Sequence, residues 1–207
     1  MIILKITDLD KVVELLRKGK EIIFPTETSY GLGCDATNQF AVDTIFKIKE
    51  RPIAKSLLII VLNAETAKKY LVWNEMLEKI SQKYWPGPLT VIGSYKKNPF
   101  WQFWKKNLAR GVVGTDNSVA VRVTDYPLMS ELSARLGCPI VATSANVSGN
   151  GDFYNSQEVI GQFSDQKFSP DALIDGGALP LRSPTTIVSV IDNKLKVLRQ
   201  GECIVEI

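Results

Sequence analysis

Histidine is absent from the 207 residues, and that absence removes whole classes of chemistry. Ser-His-Asp and Cys-His nucleophilic machinery, histidine general bases and the usual imidazole metal ligands are excluded. Cysteine is nearly as scarce: Cys34, Cys138 and Cys203 are an odd number, widely spaced, with no C-x-x-C pair. Neither a disulfide framework nor a zinc module is expected, and the three are read as buried reduced thiols. Long apolar runs are missing too. The longest, Leu57 to Leu62, falls far short of the ~20 residues of a membrane-spanning helix, and the amino terminus lacks the basic, apolar and small-residue order of a signal peptide. A cytoplasmic protein without membrane contact is expected. Neither sign of charge dominates: 25 Lys and Arg stand against 22 Asp and Glu, for a net charge of +3. A nucleic-acid partner would have to be argued from the placement of cations rather than their number. Catalysis, if any, must rest on cations, hydroxyls, amides and any bound metal.

What is present suits one α/β domain over residues 1–207, since 45% hydrophobic residues can bury an ordinary core. Leu9, Val12, Val13 and Leu16 recur at helical spacing after Asp8, an expected N-cap, and Gly19 closes that helix. The apolar run Glu21 to Phe24 reads as a buried strand ending at Pro25, and Thr26 to Tyr30 as its polar tip beside Gly31 and Gly33. A helix is expected from about Asn38 to Lys49, a strand over Ser56 to Leu62, and a helix marked by Trp73, Leu77, Ile80 and Tyr84 that Pro86-Gly87-Pro88 ends. Strands follow at Leu89 to Ile92 and Ser118 to Val123, then a helix through Leu128 to Leu136 capped by Gly137 and a strand from Pro139 to Thr143. Ser156 to Phe163 reads as a helix, followed by Ala172 to Asp175 and by two strands around Asp192-Asn193. Alternating strands and helices predict a twisted mixed sheet covered by helices.

Polar clusters fall at the strand ends, where such folds carry function. Lys49 and Arg51, one residue apart at a helix end, and Ser144 with Asn146 on a distant loop could together hold a polyphosphate. Each half also has a structural account: the cations complement the helix dipole, and Ser and Asn form turns and caps. Gly31 and Gly33 could cradle a phosphate or mark a tight turn. Arg122, inside an otherwise apolar strand, needs an anionic partner if it faces inward, or else it alternates outward into water.

Taken in order, Pro25-Thr26-Glu27-Thr28-Ser29-Tyr30-Gly31-Leu32-Gly33, Lys49-x-Arg51-Pro52, Trp85-Pro86-Gly87-Pro88-Leu89-Thr90, Val119-Ala120-Val121-Arg122 and Ser144-Ala145-Asn146-x-Ser148-Gly149 resemble the threonylcarbamoyl-AMP synthase family, with its YrdC-like fold. The resemblance implies a nucleotidyltransferase that makes threonylcarbamoyl-AMP and pyrophosphate from L-threonine, bicarbonate and ATP. That product serves N6-threonylcarbamoyladenosine modification of tRNA beside the anticodon. It further implies that Lys49, Arg51, Ser144 and Asn146 form a catalytic and triphosphate-binding tetrad, and that Ser118 and Arg199 lie on the ATP side. Thr26, Arg122 and Thr185 or Thr186 would hold threonine, with Arg122 clamping its carboxylate. Mg2+ is expected with ATP, although no carboxylate identifies itself as a ligand.

The match has departures. Many family members carry a proline-leucine pair where this chain has Ser56-Leu57, and Ser183 to Thr186 differs from a commoner glutamate-serine-threonine segment. Ending near Ile207, the chain reads as the short, single-domain form, which hands its product to separate tRNA threonylcarbamoyl-transfer proteins. Two alternatives stand beside this reading. One is a YrdC-like paralogue acting on another carbamate. The other is an RNA-binding module: Lys96, Lys97, Phe100, Trp101, Phe103, Trp104, Lys105, Lys106 and Arg110 interleave aromatics with cations, as a surface contacting tRNA or double-stranded RNA would. An insertion with docked aromatics and solvated lysines has the same composition.

Overall fold

The computed structural model describes residues 1–97 and 107–206. Along the chain come β1 (Ile2–Lys5), α1 (Leu9–Arg17), β2 (Ile22–Pro25), β3 (Tyr30–Gly33), α2 (Gln39–Lys49), β4 (Leu58–Val61), α3 (Ala64–Ala67), α4 (Glu75–Tyr84), β5 (Leu89–Ser94), β6 (Ser118–Val123), α5 (Pro127–Leu136), β7 (Ile140–Ser144), α6 (Ser156–Phe163), β8 (Ala172–Asp175), β9 (Thr186–Ile191) and β10 (Lys194–Arg199). Among the described residues the strands join in one mixed sheet, ordered β1-β8-β2-β3-β7-β4-β6-β5-β9-β10. Strands far apart in sequence thus become neighbours: β3 pairs with β7, setting Gly31 opposite Ser144, and β4 pairs with β6, setting Ile60 opposite Arg122.

Alternation along each strand sends side chains to two separate cores. On one face Ile23, Leu32, Ile59, Val91, Val121, Val141 and Val188 pack with Ala41, Ile45 and Ile48 of α2 and Leu77 and Ile80 of α4. On the other, Ile22, Phe24, Ile60, Ile140 and Ile174 pack beneath Val12, Val13 and Leu16 of α1 and Met129 and Leu132 of α5. Leaving the β5–β6–β9 half of this second face without a helix opens a cavity there.

Asparagines cap two of the helices: Asn38 Oδ1 accepts the Ala41 N–H at 3.2 Å, and Asn74 caps α4 by accepting from Leu77 N at 2.9 Å. Gly137, at φ 76°, closes α5 with its N–H on Ser133 O. Asp192 and Asn193 both take positive φ, as a tight hairpin requires. Asp8 is different: its carboxylate accepts the Lys5 N–H at 2.9 Å and makes no side-chain cap bond to α1. Gly31 and Gly33 also differ from both readings, for they lie within β3 and not in a turn or phosphate loop. A Cβ at Gly31 would come within 2.6 Å of the Phe24 ring, and one at Gly33 would run into the Val141 carbonyl oxygen before meeting that ring at 2.9 Å. Their missing side chains let Phe24 lie flat across β3. Of the three thiols only Cys34 is fully buried; Cys138 and Cys203 are partly exposed, and among the described residues none forms a disulfide.

Glu21 is buried at the foot of β2, where its backbone N–H meets Asp171 Oδ2 at 3.3 Å. Burial, reinforced by hydrogen bonding to Asp171 and the charge there, pushes its carboxyl up to about 8. A carboxyl raised in the folded state favours folding while protonated, so its contribution is complete below the ordinary glutamate range and fades as pH climbs toward 8. Glu21→Gln should therefore flatten the stability profile between about pH 5 and 8, raising stability at pH 8 by on the order of 2 kcal/mol. Urea unfolding at pH 5, 7 and 8.5 measures this, and parallel profiles for the two proteins would contradict it.

Candidate active site

The uncovered part of the sheet forms the floor of a cavity of about 400 Å³, a size suited to a small-molecule site. Its walls come from the β2–β3 turn, the loop after α2, the loop after β7 and the segment between β8 and β9. Arg122 reaches it because Ser118, Ala120 and Arg122 alternate with the core residues Val119, Val121 and Val123. The inward alternative is therefore the one realised. Arg122 is 5% exposed, its Nε donates to Gly87 O at 3.4 Å, and its Nη2 forms an ion pair with Glu27. Burial pulls this guanidinium down to about 10, with Asp125 and Glu202 opposing the shift. Glu27 is in turn held by the Thr124 hydroxyl at 3.2 Å.

The two separated motifs do meet. Lys49, the last residue of α2, is 1% exposed, and its Nζ donates to Ser144 O at 2.6 Å, Asn146 O at 2.9 Å and Asn146 Oδ1 at 2.8 Å. An ammonium has three protons, and all three are used here inside the protein. Burial, then the like charge of Arg51, pushes it down to about 8. Asn146 is equally committed: its Nδ2 donates to Asn150 O and Gly151 O, and its Oδ1 also accepts from Ser144 Oγ at 2.8 Å. Neither Lys49 nor Asn146 lines the cavity, whereas Arg51 and Ser144 do. The structure brings the four residues of the expected tetrad close together: Arg51 and Ser144 line the cavity, and Lys49 and Asn146 bond the loop directly behind it. Arg51 folds over its own exit loop, Nε on Lys55 O at 2.9 Å and Nη2 on Ser56 O at 3.1 Å.

The remaining sequence-derived residues divide in the same way. Thr26, Thr185 and Arg199 line the cavity. Thr26 Oγ1 donates to Ser29 O at 2.7 Å and accepts from the Thr28 and Ser29 N–H groups, which shapes the β2–β3 turn. Arg199 reaches Thr185 O through Nε and Nη2, at 3.1 and 2.9 Å. Thr186 does not reach the cavity; its hydroxyl is turned onto Cys203 O at 2.5 Å and the Gly201 N–H at 3.0 Å. Ser118 lies outside as well, with its hydroxyl on Asp116 Oδ1 at 2.7 Å, while Ala120, nearer Arg122 on the same face, is part of the lining. Residues that sequence reasoning passed over include Asp152, Tyr154 and Arg182, all in the lining. They sit in irregular loops without periodicity, so no sequence signal marked them.

Of the basic aromatic stretch, Lys96, Lys97 and Arg110 are exposed. Phe100, Trp101, Phe103, Trp104, Lys105 and Lys106 lie outside the described residues. Among the described residues no helix is long and apolar enough to cross a membrane.

Comparison with known proteins agrees with this arrangement. The model of the Sua5/YciO/YrdC family, described as telomere recombination, matches residues 14–201. The chain belongs to that family. Among its relatives, the threonylcarbamoyl-AMP synthase of Photobacterium profundum is 33% identical over 197 residues, covering 94% of this chain and 99% of that protein. That of Enterobacter sp. (strain 638) is 36% identical over 159 residues, 75% of this chain and 78% of its own. Of the solved structures, P. abyssi Sua5 complexed with L-threonine superposes with a TM-score of 0.85 at 28% identity, over 97% of this chain but only 58% of that longer one. The elements that form the cavity, β2, β3, α2, β4 to β7 and β9, all lie within the matched residues.

Proposed function

We propose that this protein is an L-threonylcarbamoyladenylate synthase, converting L-threonine, bicarbonate and ATP into threonylcarbamoyl-AMP and pyrophosphate. The observation that carries the reading is the buried Arg122 at the floor of a cavity whose rim bears Arg51 and Arg199. Arg122, buried and balanced by Glu27, suits the threonine carboxylate, and Arg51 and Arg199 suit a nucleotide's phosphates. The curated relatives that bear the synthase name, and the neighbour solved with L-threonine, support the same substrates.

The chemistry follows from charge. The threonine amine and bicarbonate give a carbamate with loss of water; a carbamate oxygen then attacks the α-phosphorus of ATP in line, and pyrophosphate leaves with its bonding electrons. Carbamate, carboxylate and triphosphate crowd negative charge into one small space, so positioning and cationic stabilisation are the main tasks. Arg122 would take the threonine carboxylate, Thr26 and Thr185 the polar remainder of the amino acid, and Arg51, Arg199 and the Ser144 hydroxyl the nucleotide side. Mg2+ would arrive as part of the nucleotide substrate; such ions keep several waters and take few protein ligands. Asp152, the one carboxylate in the described lining, suits that limited role. The product would pass to proteins that transfer the threonylcarbamoyl group to tRNA, so the reaction would take place in the cytoplasm.

The test is pyrophosphate release from ATP and bicarbonate with each amino acid in turn. Strict dependence on threonine is expected, and turnover indifferent to threonine would overturn the reading.

A further inference from the structure

The cations in and behind the cavity are unequally committed. Lys49 gives all three protons to the 144–146 loop, Arg51 gives two N–H groups to its own exit loop, and Arg199 directs Nε and Nη2 at Thr185. Arg182 stands apart. It lines the same cavity, yet among the described residues it makes no hydrogen bond, and its single ion pair, Nη1 to Glu202 Oε1, is loose at 3.8 Å. Its side chain is half exposed, so the guanidinium is not desolvated and costs little to hold there.

Chance exposure would leave such a side chain on a free loop, but this segment is anchored on both sides. Leu179 N donates to Tyr154 O at 2.7 Å and Glu202 N to Pro184 O at 3.0 Å. The stretch between them is thus held over the cavity with a fully charged, five-donor fork unspent. A polyphosphate needs such donors.

We propose that Arg182 is a phosphate-binding residue of this site, supplying from the β8–β9 segment a further cationic contact beside those of Arg51 and Arg199. The assignment rests on the synthase reading for the identity of the anion as the ATP triphosphate and the pyrophosphate product. Arg182 exchanges its weak contact with Glu202 for bidentate hydrogen bonds to phosphate oxygens.

Calorimetric titration of wild type and Arg182→Gln with ATP, inorganic pyrophosphate and L-threonine tests this at constant ionic strength. Loss of charge-assisted hydrogen bonds should weaken ATP and pyrophosphate by roughly tenfold to a hundredfold, while threonine affinity stays within about twofold. The side chain is half exposed and makes no hydrogen bond among the described residues, so the variant should fold normally, with an unchanged melting temperature. Unchanged pyrophosphate affinity would overturn the proposal, and so would threonine binding that falls as far as ATP binding. Wild-type protein that bound no ATP would instead overturn the synthase reading, so the two failures are distinguishable.

Discussion

Lys49→Ala should abolish threonine-dependent pyrophosphate release and also destabilise the protein, because one ammonium holds the loop on which half the site is built. Removing it leaves Asn146 O without its donor and takes one of two donors from Ser144 O and from Asn146 Oδ1. Leaving buried acceptors unsatisfied costs about 1–3 kcal/mol each before relaxation. With water entering part of the gap, a net loss of about 3 kcal/mol is expected, or a melting temperature lower by roughly 6–12 °C for a chain of this size. Turnover should fall by at least about 10²–10³, the scale for loss of a positioned charge-stabilising group, since Ser144 and Asp152 lose their placement together. Hydrogen exchange of residues 144–151 reads the cause directly. Faster exchange confined to that loop fits the hydrogen bonds, whereas an unaltered loop with weakened ATP binding would show that Lys49 meets the phosphates after all. Lys49 is pushed down to about 8 by burial, so protection of the same loop in wild-type protein should also decline as pH rises past that value.

Arg122→Lys should weaken threonine binding by roughly tenfold to a hundredfold while leaving ATP affinity nearly unchanged. A lysine keeps the charge that balances Glu27 but replaces a planar fork by a point donor, and a hydrogen bond to a charged group is worth about 1.5–3 kcal/mol. The conservative replacement matters because Arg122→Ala would strand the partly buried Glu27 carboxylate, and breaking such a pair costs about 3–5 kcal/mol of stability. Separate titrations with threonine and with ATP decide the matter. Equal weakening of both would remove Arg122 from the amino-acid half of the cavity.

Much of this was legible in the sequence. Helical spacing of Val12, Val13 and Leu16, the Asn38 cap, the closing Gly137 and the turn at Asp192-Asn193 are local signals, and local backbone preferences realised them. The order of the polar motifs pointed to the family. The strands β1 and β3 and the helix α3 were not legible: β1 is exposed at three of its four positions, β3 carries two glycines and α3 is a single turn, so only pairing across the sheet defines the two strands. Asp8 illustrates another limit: its residue type suits a cap, and the nearer Lys5 N–H took the carboxylate instead.

The absence of histidine and the residue types at Lys49, Arg51, Arg122, Ser144 and Asn146 were determined by the sequence alone, and with them the kind of chemistry open to the protein. Which of those side chains face the cavity was decided only by tertiary structure. Thr185 and Thr186 are adjacent and identical, yet one lines the cavity and the other is fully buried against the carboxyl-terminal segment. Lys49 and Arg51 are two residues apart, yet the helix ends between them at Glu50, whose φ of 49° turns one inward to the 144–146 loop and the other toward the cavity. Sequence sets donors, acceptors and charges; packing of distant strands decides which are spent on the fold and which remain for a ligand.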